Sequence, residues 1–214
     1  MDEASGAGRK VSGNQLLKWA AIAAAVGLAL GLAVGIVYVL NPHQYKAPFK
    51  AAAEGEFARY AQGSLQKLET SGDPKAAPAV RFNDRTGAIT GLEAFKGKVV
   101  VLNLWATWCA PCVTEMPTLA ALQRGYEGKD VIVVPVSVDR PDDLPDAKSF
   151  IDVHEPLPLY HDPKFSVPSA FGVKGLPATI VLDRKGREIA RLTGESDWNS
   201  PEARALIDAA LKEG

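Results

Sequence analysis

Cys109 and Cys112 are the only two cysteines of the chain, and their spacing points to redox chemistry. Side chains three residues apart on a helix share one face, so the two sulfurs can form a disulfide with little backbone movement. Cys109 would lie in the first helical turn, where free amide N–H groups and the helix dipole favour an anion, and hence the nucleophilic thiolate. The pair therefore predicts dithiol–disulfide exchange, with Cys109 as the attacking residue and no cofactor beyond the redox-active disulfide.

Two other uses of this spacing need different surroundings. Half of a zinc site has the same pattern, but zinc needs further ligands, and His43, His154 and His161 are far from the cysteines in the sequence. An inert structural disulfide rarely closes so small a loop between a strand and a helix. We therefore expect no metal site, and we expect His154 and His161 at the surface, beside proline-rich loops.

A strand and a helix must position the cysteines. The run from Val99 to Thr107 is apolar and β-branched at its start, which is typical of a buried strand. From Cys109 to about Gly125 the apolar residues recur at helical spacing, and Pro111 suits a first turn because no backbone donor is needed there. The strand is thus expected to lead directly into the helix at the two cysteines.

The remaining pattern predicts an α/β domain over residues 78–214. Strands and helices alternate and then give way to a β-hairpin and a last helix, which is the thioredoxin-like arrangement of a mixed sheet with helices on both faces. Pro135 predicts an irregularity in its strand. Strands are expected at 79–82, 88–90, 131–138, 178–182 and 188–192, and helices near 141–154, 164–171 and 201–212.

The residues around the cysteines carry a family resemblance. Asn103-Leu104-Trp105-Ala106-Thr107-Trp108-Cys109-Ala110-Pro111-Cys112, followed by Glu115-Met116-Pro117, resembles the membrane-anchored thioredoxin-fold reductases of the TlpA/ResA family, the TlpA branch more closely. The resemblance covers about residues 78–214. It implies a thiol:disulfide oxidoreductase that reduces protein disulfides outside the cytoplasm and is re-reduced by a membrane electron donor. The substrates it implies are copper-site assembly proteins of cytochrome oxidase, favoured by the TlpA likeness, or apocytochrome c.

The resemblance also implies substrate-binding residues. Gly175-Leu176-Pro177-Ala178 resembles the family's cis-proline loop, which faces the cysteines and would leave backbone groups of Leu176 free to pair with an extended substrate. Otherwise Pro177 would be an ordinary turn proline. Trp108 is expected to cover the sulfurs and form part of the docking surface, whereas Trp105 and Trp198 are expected to pack in the interior.

Glu115 lies three residues after Cys112, on the same helical face. Many thioredoxins have a titratable aspartate at the strand position that Asn103 occupies here, so another group must take the proton from Cys112. The resemblance assigns this catalytic role to Glu115. Proton transfer needs a group within hydrogen-bond reach, and Glu115 is the nearest candidate in the sequence. The alternative is a surface carboxylate that complements the helix N-terminus.

The residues before the domain are expected to place it at a membrane. After a short cytoplasmic N-terminus at 1–18, residues 19–40 contain no charge and form about 33 Å of helix, enough for a hydrocarbon core of roughly 30 Å. A cleaved signal peptide is the alternative, but its apolar stretch is usually shorter. We expect a single-pass anchor in the bacterial inner membrane with the domain in the periplasm. Residues 41–77 would be a tether with a short helix at about 50–69.

Charge and composition narrow the partners and functions. The net charge is −1 and no basic cluster is present, so no nucleic-acid partner is expected. Gly27, Gly31 and Gly35 would let two anchors pack as a homodimer, although glycine is also simply common in membrane spans. A copper metallochaperone could use the same thiols, but its relatives usually have wider cysteine spacing and a partnering histidine. A general disulfide oxidase is the third function, since two residues do not determine a reduction potential.

Overall fold

The computed structural model describes residues 53–213. The expected N-terminus, the anchor at 19–40 with its glycine row, and the first part of the tether lie outside the described residues. Within residues 53–213, no helix is long and apolar enough to cross a bilayer.

A single mixed sheet of eight strands forms the centre of the domain. The strands are β1 (Glu69–Ala76), β2 (Arg81–Asp84), β3 (Ile89–Gly91), β4 (Val99–Trp105), β5 (Val131–Ser137), β6 (Tyr160–His161), β7 (Ala178–Leu182) and β8 (Arg187–Thr193). Their order in the sheet is β1-β8-β7-β4-β5-β6-β2-β3. Central strand β4 is parallel to β5 and antiparallel to β7.

The helices are α1 (Ala110–Gly125), α2 (Leu144–Asp152), α3 (Ser166–Ala170) and α4 (Pro201–Lys212). They cover both faces of the sheet, so β4, whose side chains alternate between the two faces, is buried on both sides. Val101 and Trp105 pack in the same cluster as residues of α1, α2 and α4, whereas Leu102 and Leu104 pack with Val167 of α3. The thioredoxin-like α/β fold is therefore confirmed, as is the burial of Trp105.

The described part of the expected tether, residues 53–77, is instead part of the domain. The helix expected at about 50–69 is replaced by two short 3-10 helices, Glu56–Tyr60 and Gly63–Leu65, followed by β1. Phe57, Leu65 and Leu68 are buried in the same cluster as α1 and α4. The boundary at residue 78 is therefore wrong: β1 adds a strand to the edge of β8, and the buried side chains attach this segment to the domain.

The irregularity expected at Pro135 is absent from the β4–β5 ladder, whose register runs unbroken from Val99↔Val131 to Trp105↔Ser137. The reason lies on the other side of β5. Strand β6 pairs with β5 only at Val136 and Ser137, so no ladder on that side of β5 includes Pro135. A proline is tolerated where its missing N–H has no strand partner.

Candidate active site

The two cysteines lie where β4 leads into α1, as expected, and their sulfurs are bonded to each other. Cys109 is the N-cap of α1, one residue before the first turn, and its carbonyl oxygen accepts a hydrogen bond from Val113 N–H. Pro111 lies in the first turn, where it removes no helical hydrogen bond. Cys109 is 6 % exposed and Cys112 is fully buried, so Cys109 is the cysteine that a substrate can reach.

The turn before Cys109 is held by a buried carboxylate that the sequence did not single out. Thr107 N–H donates to both carboxylate oxygens of Asp139 at 3.1 Å, and Thr107 Oγ1 donates to Asp139 Oδ1 at 2.6 Å. Ser137 Oγ donates to Asp139 Oδ2 at 2.8 Å. Asp139 follows β5, whose carboxyl end adjoins that of β4. A polar residue two positions after the end of a parallel strand was the available signal.

Glu115 is buried, which contradicts the alternative of a surface carboxylate. Only 2 % of it is exposed. Its Oε1 accepts a 2.7 Å hydrogen bond from Asn103 Nδ2, and its Oε2 accepts a 3.2 Å hydrogen bond from Ser196 N–H. Asn103 is on β4 and Glu115 on α1, so the contact joins the central strand to the helix that carries the cysteines.

Burial raises the pKa of Glu115 from its ordinary 4.5 to about 7, because the surroundings disfavour the charged form. The hydrogen bonds from Asn103 and Ser196 lower this pKa, since they favour the carboxylate, whereas the nearby charge of Glu195 raises it. A carboxyl that is half-protonated near neutral pH is suited to accept and return a proton there. The catalytic role of Glu115 stays a prediction, which its burial and its raised pKa support.

The peptide bond between Leu176 and Pro177 is cis, as the resemblance implied. Pro177 is buried, and its carbonyl oxygen accepts a hydrogen bond from Gly194 N–H. Leu176 is half-buried, and within the described residues its backbone groups make no hydrogen bond. Thr179, two residues after the cis bond, accepts a 2.9 Å hydrogen bond from Asn103 Nδ2, so the loop and Glu115 are connected through one amide.

Trp108 is 65 % exposed, unlike Trp105 and Trp198, which are fully buried as expected. An exposed tryptophan next to a reactive cysteine offers a substrate a large, rigid contact surface. The expected part of Trp108 in docking stays a prediction, as does the pairing of a substrate with Leu176.

His161 corrects another expectation. It is buried, with Nε2 2.8 Å from the carbonyl oxygen of Asp139, so it is not a surface residue. His154 is half-buried, and its Nδ1 lies 2.8 Å from the carbonyl oxygen of Phe150. Within residues 53–213, no three His, Cys, Asp or Glu side chains come together in a way that could hold a metal ion.

Three features define a thiol:disulfide oxidoreductase. They are a disulfide-bonded cysteine pair between a strand and a helix, a cis-proline loop and a thioredoxin-like sheet. The family described as Redoxin matches residues 70–207, and the chain belongs to it, as a thiol:disulfide oxidoreductase of the TlpA/ResA kind.

Three similar proteins support this assignment. The chain is 33 % identical over 135 residues to the thiol-disulfide oxidoreductase ResA of Bacillus cereus, covering 63 % of this chain and 77 % of ResA. A Chlorobium tepidum structure described as a thiol:disulfide interchange protein DsbE is 31 % identical with a TM-score of 0.58, covering 64 % of this chain and 96 % of that one. A DsbF homologue from Corynebacterium diphtheriae is 28 % identical with a TM-score of 0.56, covering 69 % and 92 %.

Proposed function

We propose that the protein is a membrane-tethered, periplasmic reductase of protein disulfides. The observation that carries the proposal is the buried Glu115 carboxyl, three residues after Cys112 on α1, whose pKa of about 7 lets it accept a proton near neutral pH. Such an acceptor supports reduction because Cys112 must lose its proton before it can resolve a mixed disulfide. Residues 19–40 would be the anchor.

The proposed reaction transfers two electrons to the substrate. The Cys109 thiolate attacks one sulfur of the substrate disulfide, that bond breaks, and one substrate sulfur leaves as a thiolate. Cys112 gives its thiol proton to Glu115 and attacks Cys109 Sγ, which releases the second substrate sulfur. The two substrate thiolates take up protons from water, which leaves the substrate as a dithiol, and the enzyme holds the Cys109–Cys112 disulfide. A membrane electron donor then reduces this disulfide.

The proposed substrates are copper-site assembly proteins of cytochrome oxidase, with apocytochrome c as the other candidate. Both carry cysteine pairs that must be reduced before they bind metal or haem. The free backbone groups of Leu176 would pair with an extended substrate segment, and exposed Trp108 would contact its side chains. Hydrogen bonds to the substrate backbone make docking tolerant of sequence, whereas the tryptophan contact favours apolar neighbours of the target cysteine.

Trapping in the native host tests this function. In a Cys112→Ser variant of the full chain the mixed disulfide cannot be resolved, so substrates stay bonded to Cys109 and are identified by mass spectrometry. We expect extracytoplasmic proteins with a cysteine pair at a copper or haem site. The matched control is Cys109→Ser, which keeps only the buried cysteine. Capture of the same proteins by both variants would contradict the proposal.

Location and assembly have their own tests. A reporter that is active only outside the cytoplasm should work when fused after Gly214, and a fusion active only in the cytosol would overturn the periplasmic assignment.

If the anchors form a homodimer, Gly31→Leu should weaken self-association in a membrane reporter assay, because it blocks close backbone approach.

A copper titration of the reduced chain tests the metallochaperone alternative. Tight Cu(I) binding by both thiols, with no disulfide reduction, would favour a metallochaperone instead.

A further inference from the structure

A cleft beside α1 leads to Glu115. Its volume is about 360 Å³, and its other lining residues are Ser64, Thr114, Thr118, Glu195, Ser196 and Asp197. Thr114, Glu195 and Asp197 are exposed, whereas Glu115 is only 2 % exposed. Glu115 therefore lies at the inner end of the cleft and the exposed residues at its mouth.

This cleft is separate from the expected substrate surface. Among the described residues that line it, none is a cysteine, and neither Trp108 nor the Leu176–Pro177 loop takes part. A protein substrate seated on Cys109 would cover the sulfurs and exclude water there. The cleft would stay open, because its walls come from α1, from the 194–198 segment and from Ser64 near the start of the domain.

The cleft is open to solvent, and its lining combines apolar surface with four residues that carry hydroxyl groups. These hydroxyl oxygens can still accept hydrogen bonds from water that enters the cleft. Ser196 N–H donates to Glu115 Oε2, and Ser196 Oγ donates to the carbonyl oxygen of Ser64 at 2.8 Å, which fixes the wall beside the carboxyl. Thr118 Oγ1 donates to the backbone carbonyl oxygen of Glu115 at 2.7 Å and accepts a 3.1 Å hydrogen bond from Trp198 N–H, so it joins α1 to the same wall.

The charges around Glu115 also favour proton traffic through the cleft. At its mouth are the carboxylates of Glu195 and Asp197, and no described residue that lines it is basic. On the side that faces the protein interior, the Glu115 carboxyl accepts a hydrogen bond from Asn103, whose amide does not titrate. Asn103 also donates to Thr179. Negative charge at the mouth attracts proton-carrying cations towards the carboxyl.

We propose that this cleft is the route by which Glu115 exchanges protons with solvent while a substrate covers the sulfurs. The inference rests on the proposed role of Glu115 as proton acceptor for Cys112. In each turnover Cys112 gives one proton to the carboxylate, and the carboxyl passes that proton to water in the cleft. The acceptor is thereby restored without release of the substrate.

Deuterium exchange at the Glu115 carboxyl tests the route. The carboxyl stretching band of Glu115 is identified in infrared spectra as the band lost in Glu115→Gln. Its shift after transfer to deuterated buffer is timed in the full-length Cys112→Ser chain, disulfide-bonded through Cys109 to a peptide with a single cysteine. Thr114→Leu narrows the mouth with a larger, apolar side chain, and Thr114→Ser keeps it open and polar.

We expect exchange at least several-fold slower with Thr114→Leu and close to the parent rate with Thr114→Ser. Equal rates in all three chains would overturn the proposed route.

Insulin reduction near neutral pH separates the two proposals. If Glu115→Gln reduces insulin as fast as the parent, the proton-accepting role of Glu115 is wrong. If Glu115→Gln is slow and Thr114→Leu exchanges at the parent rate, only the route is wrong.

Discussion

Asn103 Nδ2 donates a 2.7 Å hydrogen bond to Glu115 Oε1, and both side chains are almost completely buried. The same amide nitrogen donates to Thr179 Oγ1, while Asn103 Oδ1 has no hydrogen-bond partner within the described residues. One amide therefore connects the central strand, the redox helix and the strand after the cis-proline. Because asparagine cannot take up a proton, it holds the carboxyl in place and leaves the titration to Glu115.

Asn103→Asp should convert this contact into a pair of carboxyls that share one proton. Two carboxylates at this distance repel each other, so the pair should lose its last proton at a higher pH than Glu115 alone does in the parent. We expect the variant to be close to the parent in stability near pH 5 and clearly less stable near pH 8. Chemical denaturation at the two pH values measures this. Equal losses at both would mean that packing, and not charge, causes the effect.

The raised pKa of Glu115 also predicts how stability depends on pH. The folded protein binds this proton more tightly than the unfolded chain, so the contribution is complete below about pH 4.5 and is lost as the pH rises through about 7. The difference between the two pKa values corresponds to about 3 kcal/mol. Glu115→Gln cannot lose a proton, so its free energy of unfolding should fall less than that of the parent between pH 4.5 and 8.

The variant must be compared with the parent at each pH, because Glu213 titrates in the same range. Burial and a hydrogen bond with Glu56 raise the pKa of Glu213 to about 7. This pair is unchanged in Glu115→Gln, so it cancels in the difference between the two curves. Parallel curves for parent and variant would show that Glu115 is not responsible for the pH dependence.

The sequence was sufficient for the elements with a strong local signal. The apolar run from Val99 and the two cysteines indicated the strand and helix of the site, and the hairpin at 178–192 and the helix from Pro201 had equally clear patterns. The same apolar spacing at Phe57, Leu65 and Leu68 fits one amphipathic helix or two 3-10 turns. Strand β1 contains Gly72, Asp73 and Pro74, which disfavour strands, and it forms because β8 offers an unpaired edge.

The polar residues of the site were harder to predict than its cysteines. A carboxylate is almost never fully buried unless it is paired, so the sequence left open a surface position for Glu115. The carboxyl of Glu115 can be buried because Asn103 and Ser196, which are distant from it in the sequence, donate hydrogen bonds to it. Asp139 and His161 meet for the same reason, since the parallel pairing of β5 and β6 brings their ends together.

Asp139 should be necessary for the stability of the turn that carries Cys109. Asp139→Asn replaces the charged acceptor of the Thr107 N–H and hydroxyl donors, so we expect the free energy of unfolding to fall by about 2–3 kcal/mol. The matched control is Asp142→Asn, which alters an exposed aspartate three residues after Asp139 and should change stability by less than about 0.5 kcal/mol. Urea denaturation of both variants measures the difference. Similar small losses would show that the Thr107 contacts are not important for folding.

Phe57 should stabilise the domain although it lies well before the expected boundary at residue 78. It is 1 % exposed and packs in the cluster that contains α1 and α4. Phe57→Ala leaves a cavity there, so the free energy of unfolding should fall by about 3–5 kcal/mol. Phe165→Ala removes the same side chain from a position that is 45 % exposed, and its cost should be much smaller. Urea denaturation of the two variants gives both values, and equal losses would mean that residues 53–77 contribute nothing particular to the stability of the domain.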